Sequence, residues 1–386
     1  MIDPTAVLGH LDDRDPKLVD FAMGYANRMT RQDSRFPLAH VDHFAGRHVV
    51  QARLLQAVLD LPTAWAKAKE LGKDVDQTYW DEFSIYGRGN FLLVDEASRC
   101  LLDHGRPAAA LDLMQLYLHG DRKRPDPKLV VEGIEALGTS EEDLGRLSTY
   151  EIETLISYLR QTDTDEDIVA MLEWKLLPAL GHEPRGLFLE RKLARDPAFF
   201  VEILSLSFRA KDTDTLPDVS QHVATNAYQL LSNWHTIPGS AGPGQPVSAE
   251  ALDAWYTAAK PLLVEARRLD IGEQIFGQTL AHGPADEDGL WPDRVVRSFI
   301  ERVVSEHIET GFRIECFNKR GVTTRSLDEG GKKEHVLADR YAGWADRIAV
   351  TAPRTALILR SLADGYRADG RREDEEAQRR REGFDD

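Results

Sequence analysis

The sequence predicts an all-α protein, an irregular, solenoid-like array of helices. Three observations predict it. Apolar residues recur at helical spacing along most of the chain. Helix-start signals recur from the N-terminal region to the C-terminal one, including Asp-Pro at 15–16, 126–127 and 196–197. No train of alternating segments separated by Asn-Gly or Asp-Gly turns is present, as a series of hairpins would need.

Residues 41–61 carry Val49, Val50, Leu54, Leu55, Val58 and Leu61 at helical spacing. Further amphipathic runs cover 91–102, 107–118, 129–137, 151–159, 168–180, 219–234, 249–269, 295–308, 335–348 and 354–366. In each Asp-Pro start, the Asp side chain can accept from an orphan N–H, and Pro at the first helical position has no N–H to satisfy. Ser148 followed by Glu151 is a capping box, and Pro353 opens a later helix. The unequal spacing of these signals excludes a strict consensus repeat. It suits an array in which each helix pair covers its neighbour's apolar face. Residues 196–208 carry apolar side chains on nearly every face, the pattern of a buried helix.

Two interruptions organise the array. The Pro/Gly-rich segment 237–246 cannot continue a helix and is expected to separate an N-terminal array, 1–236, from a C-terminal region, 247–386. The second interruption is the basic loop 317–334, FNKRGVTTRSLDEGGKKE. The tail at 371–381 mixes charges without an apolar stripe and reads as a solvated helix end.

Composition bounds the function. Hydrophobic residues make up 42% and charged residues 29% of 386, the balance of a folded rather than a disordered chain. The net charge of −17 argues against general affinity for a nucleic-acid backbone. Cys100 and Cys316 stand far apart without a CxxC pair, which fits two structural thiols in a reducing cytoplasm. The first residues, MIDPTAVLGHLDDRDPK, lack the basic and apolar regions of a secretory signal. No apolar run approaches the roughly 18 residues of a membrane span.

Chemical motifs fail on spacing. A phosphate loop needs GxxxxGK and then Ser or Thr, but Ser326 stands where Gly is required and Lys333 follows Lys332. His40 and His43 share a helical face, yet no second ligand cluster accompanies them, and polar surface positions account for both. His235 follows Trp234 at a helix end, where a capping role suffices. The acidic run 163–167 lacks the Gly and Glu of a calcium loop and is better explained by Thr164 as an N-cap. Nucleophile-elbow and dinucleotide motifs are missing, and the GxG at 87–89 reads as a helix C-cap and turn.

Two segments carry a resemblance. One is LARDPAFFVEILSLSFRAKD with AYQLLSNWHTIPG. The other is IGEQIFGQTLAHGPADEDGLWPDRVVRSFIE, GFRIECFNKRGVTTRSLDEGGKKEHVLADRYAGWA and APRTALILRSLADGYRADGRREDEEA. Through them, residues 107–382 resemble the C-terminal helical region of large multidomain bacterial proteins, including antiviral-defence proteins that join an effector or NTPase module to a helical sensor. No named family is assigned. The resemblance implies a recognition or scaffold part.

The expected function is therefore non-catalytic binding of a protein partner. The expected contact residues are Asn318, Arg320, Arg325, Lys332 and Lys333 in the loop, with Trp291 and Trp344 flanking it. Replacing the four basic residues by Ala is expected to leave stability nearly unchanged. No catalytic, cofactor or metal residues are assigned, and the sequence sets no oligomeric state. An enzyme or nucleotide-dependent switch with a pocket between helices, and nucleic-acid binding through the basic loop, stay open as alternatives.

Overall fold

The structure, a computed structural model, describes residues 3–84, 93–119, 123–137, 147–177, 179–180, 187–213, 218–320 and 330–382. The fold is all-α: the described residues form twenty α-helices, two short 3-10 turns and no strand. They divide into two compact units, Met1–Asp165 with Ala179–Gly181, and Glu166–Pro178 with His182–Asp386. None of the described helices is long and apolar enough to cross a membrane.

The first unit contains α1 (Pro4–Leu8), α2 (Pro16–Gln32), α3 (Phe36–Val41), α4 (His48–Gln56), α5 (Leu61–Leu71), α6 (Lys73–Glu82), α7 (Val94–Asp103), α8 (Pro107–Leu116), α9 (Pro127–Ala136) and α10 (Thr149–Arg160). The expected caps form. Asp15 accepts from the Lys17 N–H at 3.0 Å and Asp126 from Lys128 at 2.9 Å. Ser148 and Glu151 complete the capping box that opens α10. Asp3 and Asp60 cap α1 and α5 by the same chemistry. The run 41–61 is not one helix: α3 stops at Val41, and Gly46 turns the chain at φ 82° before α4. Leu54 and Leu55 of α4 are buried, as their spacing predicts. Trp80 packs 4.8 Å from Phe83 and 5.4 Å from Trp65.

The second unit contains α11 (Glu166–Leu176), α12 (Leu187–Arg195), α13 (Pro197–Ser207), α14 (Gln221–Ser232), α15 (Ala249–Glu265), α16 (Leu269–Leu280), α17 (Arg294–Val303), α18 (Glu306–Asn318), α19 (Lys332–Ile348) and α20 (Pro353–Arg381). Helix α11 starts at Glu166, and the Thr164 hydroxyl bonds that of Thr162 at 2.7 Å. Asp196 caps α13 through the N–H groups of Ala198 and Phe199, at 2.9 and 3.2 Å. This helix is not buried all round. Phe200, Val201, Ile203 and Leu204 face the core, while Ala198 and Glu202 are exposed. Phe200, Trp234, Trp255 and Phe276 form an aromatic core with successive ring centroids 5.2, 5.6 and 4.9 Å apart.

The Pro/Gly segment lies inside this unit and does not divide the two. Ile237 is buried, and the Ser248 N–H returns to the Gly239 carbonyl at 2.9 Å. Ser240 and Val247 form a bridge, so the segment is a closed turn anchored on core side chains. Runs 249–269 and 295–308 each contain two helices. Arg267 at φ 56° separates α15 from α16, and Val304 at φ 53° separates α17 from α18. A β-branched residue in this left-handed region is held there at a cost, and Ser305 then caps α18.

The charged tail is largely exposed, as expected of a solvated helix end, and is tied down at two points. Asp374 accepts from the Gly331 N–H at 2.8 Å and from His335 Nε2 at 2.8 Å, and Ala377 is buried. Helix α20 has no capping side chain of its own. Glu301 of α17 supplies one, accepting from the N–H groups of Arg354 and Thr355 at 3.1 and 2.8 Å.

A close helix contact in this unit joins α16 and α18. A Cβ on Gly277 would overlap the Ile308 carbonyl, and a Cβ on Gly311 would overlap the Gln274 carbonyl. Each helix thus lays a glycine on the other's backbone. Gly277→Ala and Gly311→Ala should each destabilise by about 1–3 kcal/mol or more, the usual cost of overpacking. Gly343→Ala, at an open position within α19, should instead stabilise by up to about 1 kcal/mol through helix propensity. Urea unfolding of the three variants checks both signs.

Candidate functional site

The α16–α18 contact builds a polar cluster at its end. Glu315 lies one turn beyond Gly311 on the same face of α18, and Asn318 follows one turn later. His282 stands two residues past the end of α16. His235 arrives from the segment after α14, fixed by buried Trp234 before it and buried Thr236 after it. His282 Nε2–H donates to Glu315 Oε1 at 2.9 Å. The His235 and His282 rings stack with centroids 3.8 Å apart and 24° between their planes. Asn318 Nδ2 donates to Glu315 Oε2 at 3.1 Å. One donor-type atom from each of His235, His282 and Glu315 lies within 4.8 Å of the other two. The side chains of His282 and Glu315 are 14% and 13% exposed.

Electrostatics follow from this packing. Burial, reinforced by His282 and Lys319, holds His235 down to about 4. Burial would raise Glu315, but hydrogen bonds from His282 and Asn318 outweigh it and leave its carboxyl below the usual value. At neutral pH the cluster therefore presents a neutral His235 beside a carboxylate. Burial also lowers Lys319, whose ammonium donates to the Ala281 carbonyl at 2.8 Å and lies 5.2 Å from the Trp291 ring centroid. His235 does not cap α14, whose C-cap is Asn233. The His235 backbone N–H donates to Glu190 Oε2 at 3.2 Å.

The predicted contact residues separate into distinct roles. The loop is shorter than 317–334, because Phe317 and Asn318 end α18 while Lys332 and Lys333 open α19. Arg325 lies outside the described residues. Trp291 is 8% exposed and belongs to the core. Its indole N–H donates to the Gly283 carbonyl at 2.9 Å, and its ring packs on Phe312 and Trp344 at 5.2 and 5.6 Å. Trp344 is half-buried and donates to the Gly289 carbonyl at 3.0 Å. Arg320 pairs with Glu334, whose side chain is only 1% exposed, and lies over Tyr366 at 5.6 Å. These placements correct the expectation for Trp291 and Arg320: both hold the fold together from inside. Asn318 is exposed but serves Glu315, and Lys332 is exposed.

The first unit carries a groove of about 690 Å³. Val19, Met23, Asn27 and Arg31 line one wall at every fourth position of α2. Val58, Leu59 and Leu61 line it between α4 and α5, and Leu59 is 68% exposed. Arg53 crosses the end in a forked contact with Glu82, with bonds of 2.7–3.1 Å. Elsewhere in this unit His40 Nδ1 donates to the Phe36 carbonyl at 2.8 Å, and its ring lies 6.3 Å from that of His43.

Sequence spacing could not assemble the His235, His282 and Glu315 cluster, because each residue comes from a different segment. The available signal was local: Gly311, Glu315 and Asn318 share one helical face. No family model, curated protein or solved structure matches this chain.

Arg320→Ala should destabilise by about 3 kcal/mol at neutral pH, because it removes a cation paired with the buried Glu334 carboxylate. Lys332→Ala should stay within about 0.5 kcal/mol of the parent. Adding Glu334→Gln to Arg320→Ala should recover part of the loss, as urea unfolding will show. The thiols give a second test. Burial pushes Cys316 up to about 12 and Cys100 up to about 11, so neither is an activated nucleophile. In the native protein a thiol reagent at neutral pH should leave buried Cys316 unlabelled and label Cys100 slowly, and both should label rapidly in denaturant.

Proposed function

We propose that this chain is a non-catalytic, solenoid-like helical module that binds a protein partner in the cytoplasm. The observation that carries this reading is the groove in the first unit. Val19 and Met23, one turn apart on α2, give it an apolar end, Asn27 and Arg31 a polar one, and Leu59 stands exposed at its edge. An amphipathic partner helix fits such a surface, because anchors at helical spacing can bury against Val19, Met23 and Leu59. Exposed Arg31 at the far end of the stripe favours an acidic residue there. The resemblance of residues 107–382 to helical sensor regions supports a scaffold role within a bacterial defence assembly. Trp291 and Arg320 are occupied internally, so the groove takes the role first expected of the basic loop.

Affinity capture from the native cell tests this, with parent and Leu59→Asp proteins compared by quantitative mass spectrometry. Leu59 is exposed, so the substitution should leave thermal unfolding nearly unchanged. A specific partner should fall by about tenfold or more, the loss of one buried anchor. An identical capture profile would remove the groove from the account.

A further inference from the structure

We propose that His235, His282 and Glu315 form a binding site for one divalent transition-metal ion of the Zn²⁺ class. Two imidazoles and one carboxylate are a donor set that such ions take, with a fourth position left for water or a donor from another molecule. The donors come from three segments, each pinned before any ion arrives. His235 is held between Trp234 and Thr236, and the Thr236 hydroxyl bonds Glu190 at 3.2 Å. His282 follows buried Ala281 at the end of α16, and Glu315 is carried by α18 across the glycine contact.

Binding requires His282 to exchange its hydrogen bond for the ion and the two stacked rings to turn until both lone pairs meet it, while the donor atoms are already gathered. A tetrahedral site with bonds of about 2.0–2.1 Å places its donors roughly 3.4 Å apart. His282 and Glu315 already stand at 2.9 Å, and the full set lies within 4.8 Å. Binding uses the His282 Nε2 lone pair, so that ring takes the tautomer with its proton on Nδ1. Asn318 holds the second oxygen of Glu315 at 3.1 Å, the outer hydrogen bond that fixes a ligating carboxylate. The neighbouring cation, Lys319, is directed to the Ala281 carbonyl and the face of Trp291.

The test is a Zn²⁺ titration of the chelator-treated chain against a competing chromophoric chelator, paired with the visible spectrum of the Co²⁺-loaded protein. One equivalent should bind, and Co²⁺ should give the intense bands of a four-coordinate site. His235→Ala and Glu315→Gln should each weaken binding by at least about tenfold, and Asn318→Ala by about tenfold. The exposed His48→Ala control should not change it. Glu315→Gln keeps an acceptor for His282, so loss of metal with retained helicity separates ligation from folding. Should the variants unfold, the parent's stoichiometry and Co²⁺ spectrum still decide. Absence of saturable binding, a six-coordinate Co²⁺ spectrum, or full affinity in both ligand variants would overturn the proposal.

Discussion

The second unit depends on the contact of two helix backbones at Gly277 and Gly311. Without a Cβ at either position, α16 and α18 approach until each glycine meets the other helix's carbonyl. Everything nearby inherits that closeness. Phe276, beside Gly277, enters the aromatic core, and Phe312, beside Gly311, stacks on Trp291. Glu273, one turn before Gly277, is buried and accepts from the Tyr256 hydroxyl at 2.5 Å. At the other end the same approach brings His282 to Glu315. A side chain at either glycine would separate the helices and the polar cluster together.

Polar groups inside this unit are used as joints. Glu301 caps a helix that lacks its own cap, Glu334 meets Arg320, and Asp374 ties the last helix to Gly331. Asp286 organises the turn before α17 by accepting from the Leu290 N–H at 2.8 Å and from Arg297 at 2.9 Å. Glu334, the buried one among these, needs its partner most, because an ion left unpaired in a low-dielectric interior costs more than the pair returns. Arg320 and Asp374, which look solvated in the sequence, thus take part in fixed contacts.

The all-α class and the main helix starts were legible because they are local. Asp15, Asp126, Asp196 and Ser148 act within three residues of themselves, and their caps form as the sequence predicts. The breaks at Arg267 and Val304 were not legible, since neither residue type signals a left-handed backbone. Nor was the fate of 237–246, where Pro and Gly mark a turn but cannot say that Ile237 and Val247 bury on either side of it. Candidate site residues were the least legible. Basic side chains between helices suggested surface contacts, yet Arg320 is claimed by Glu334, fourteen residues on. The His235, His282 and Glu315 set spans segments that only packing brings together.

The measurement that tests the central claim most directly is a crystal structure of the Zn²⁺-soaked protein with anomalous data at the zinc edge. The account predicts α16 and α18 in backbone contact at Gly277 and Gly311, with one anomalous peak bounded by His235, His282 and Glu315. Helices held apart by intervening side chains, or a peak on other residues with these three unligated, would contradict it.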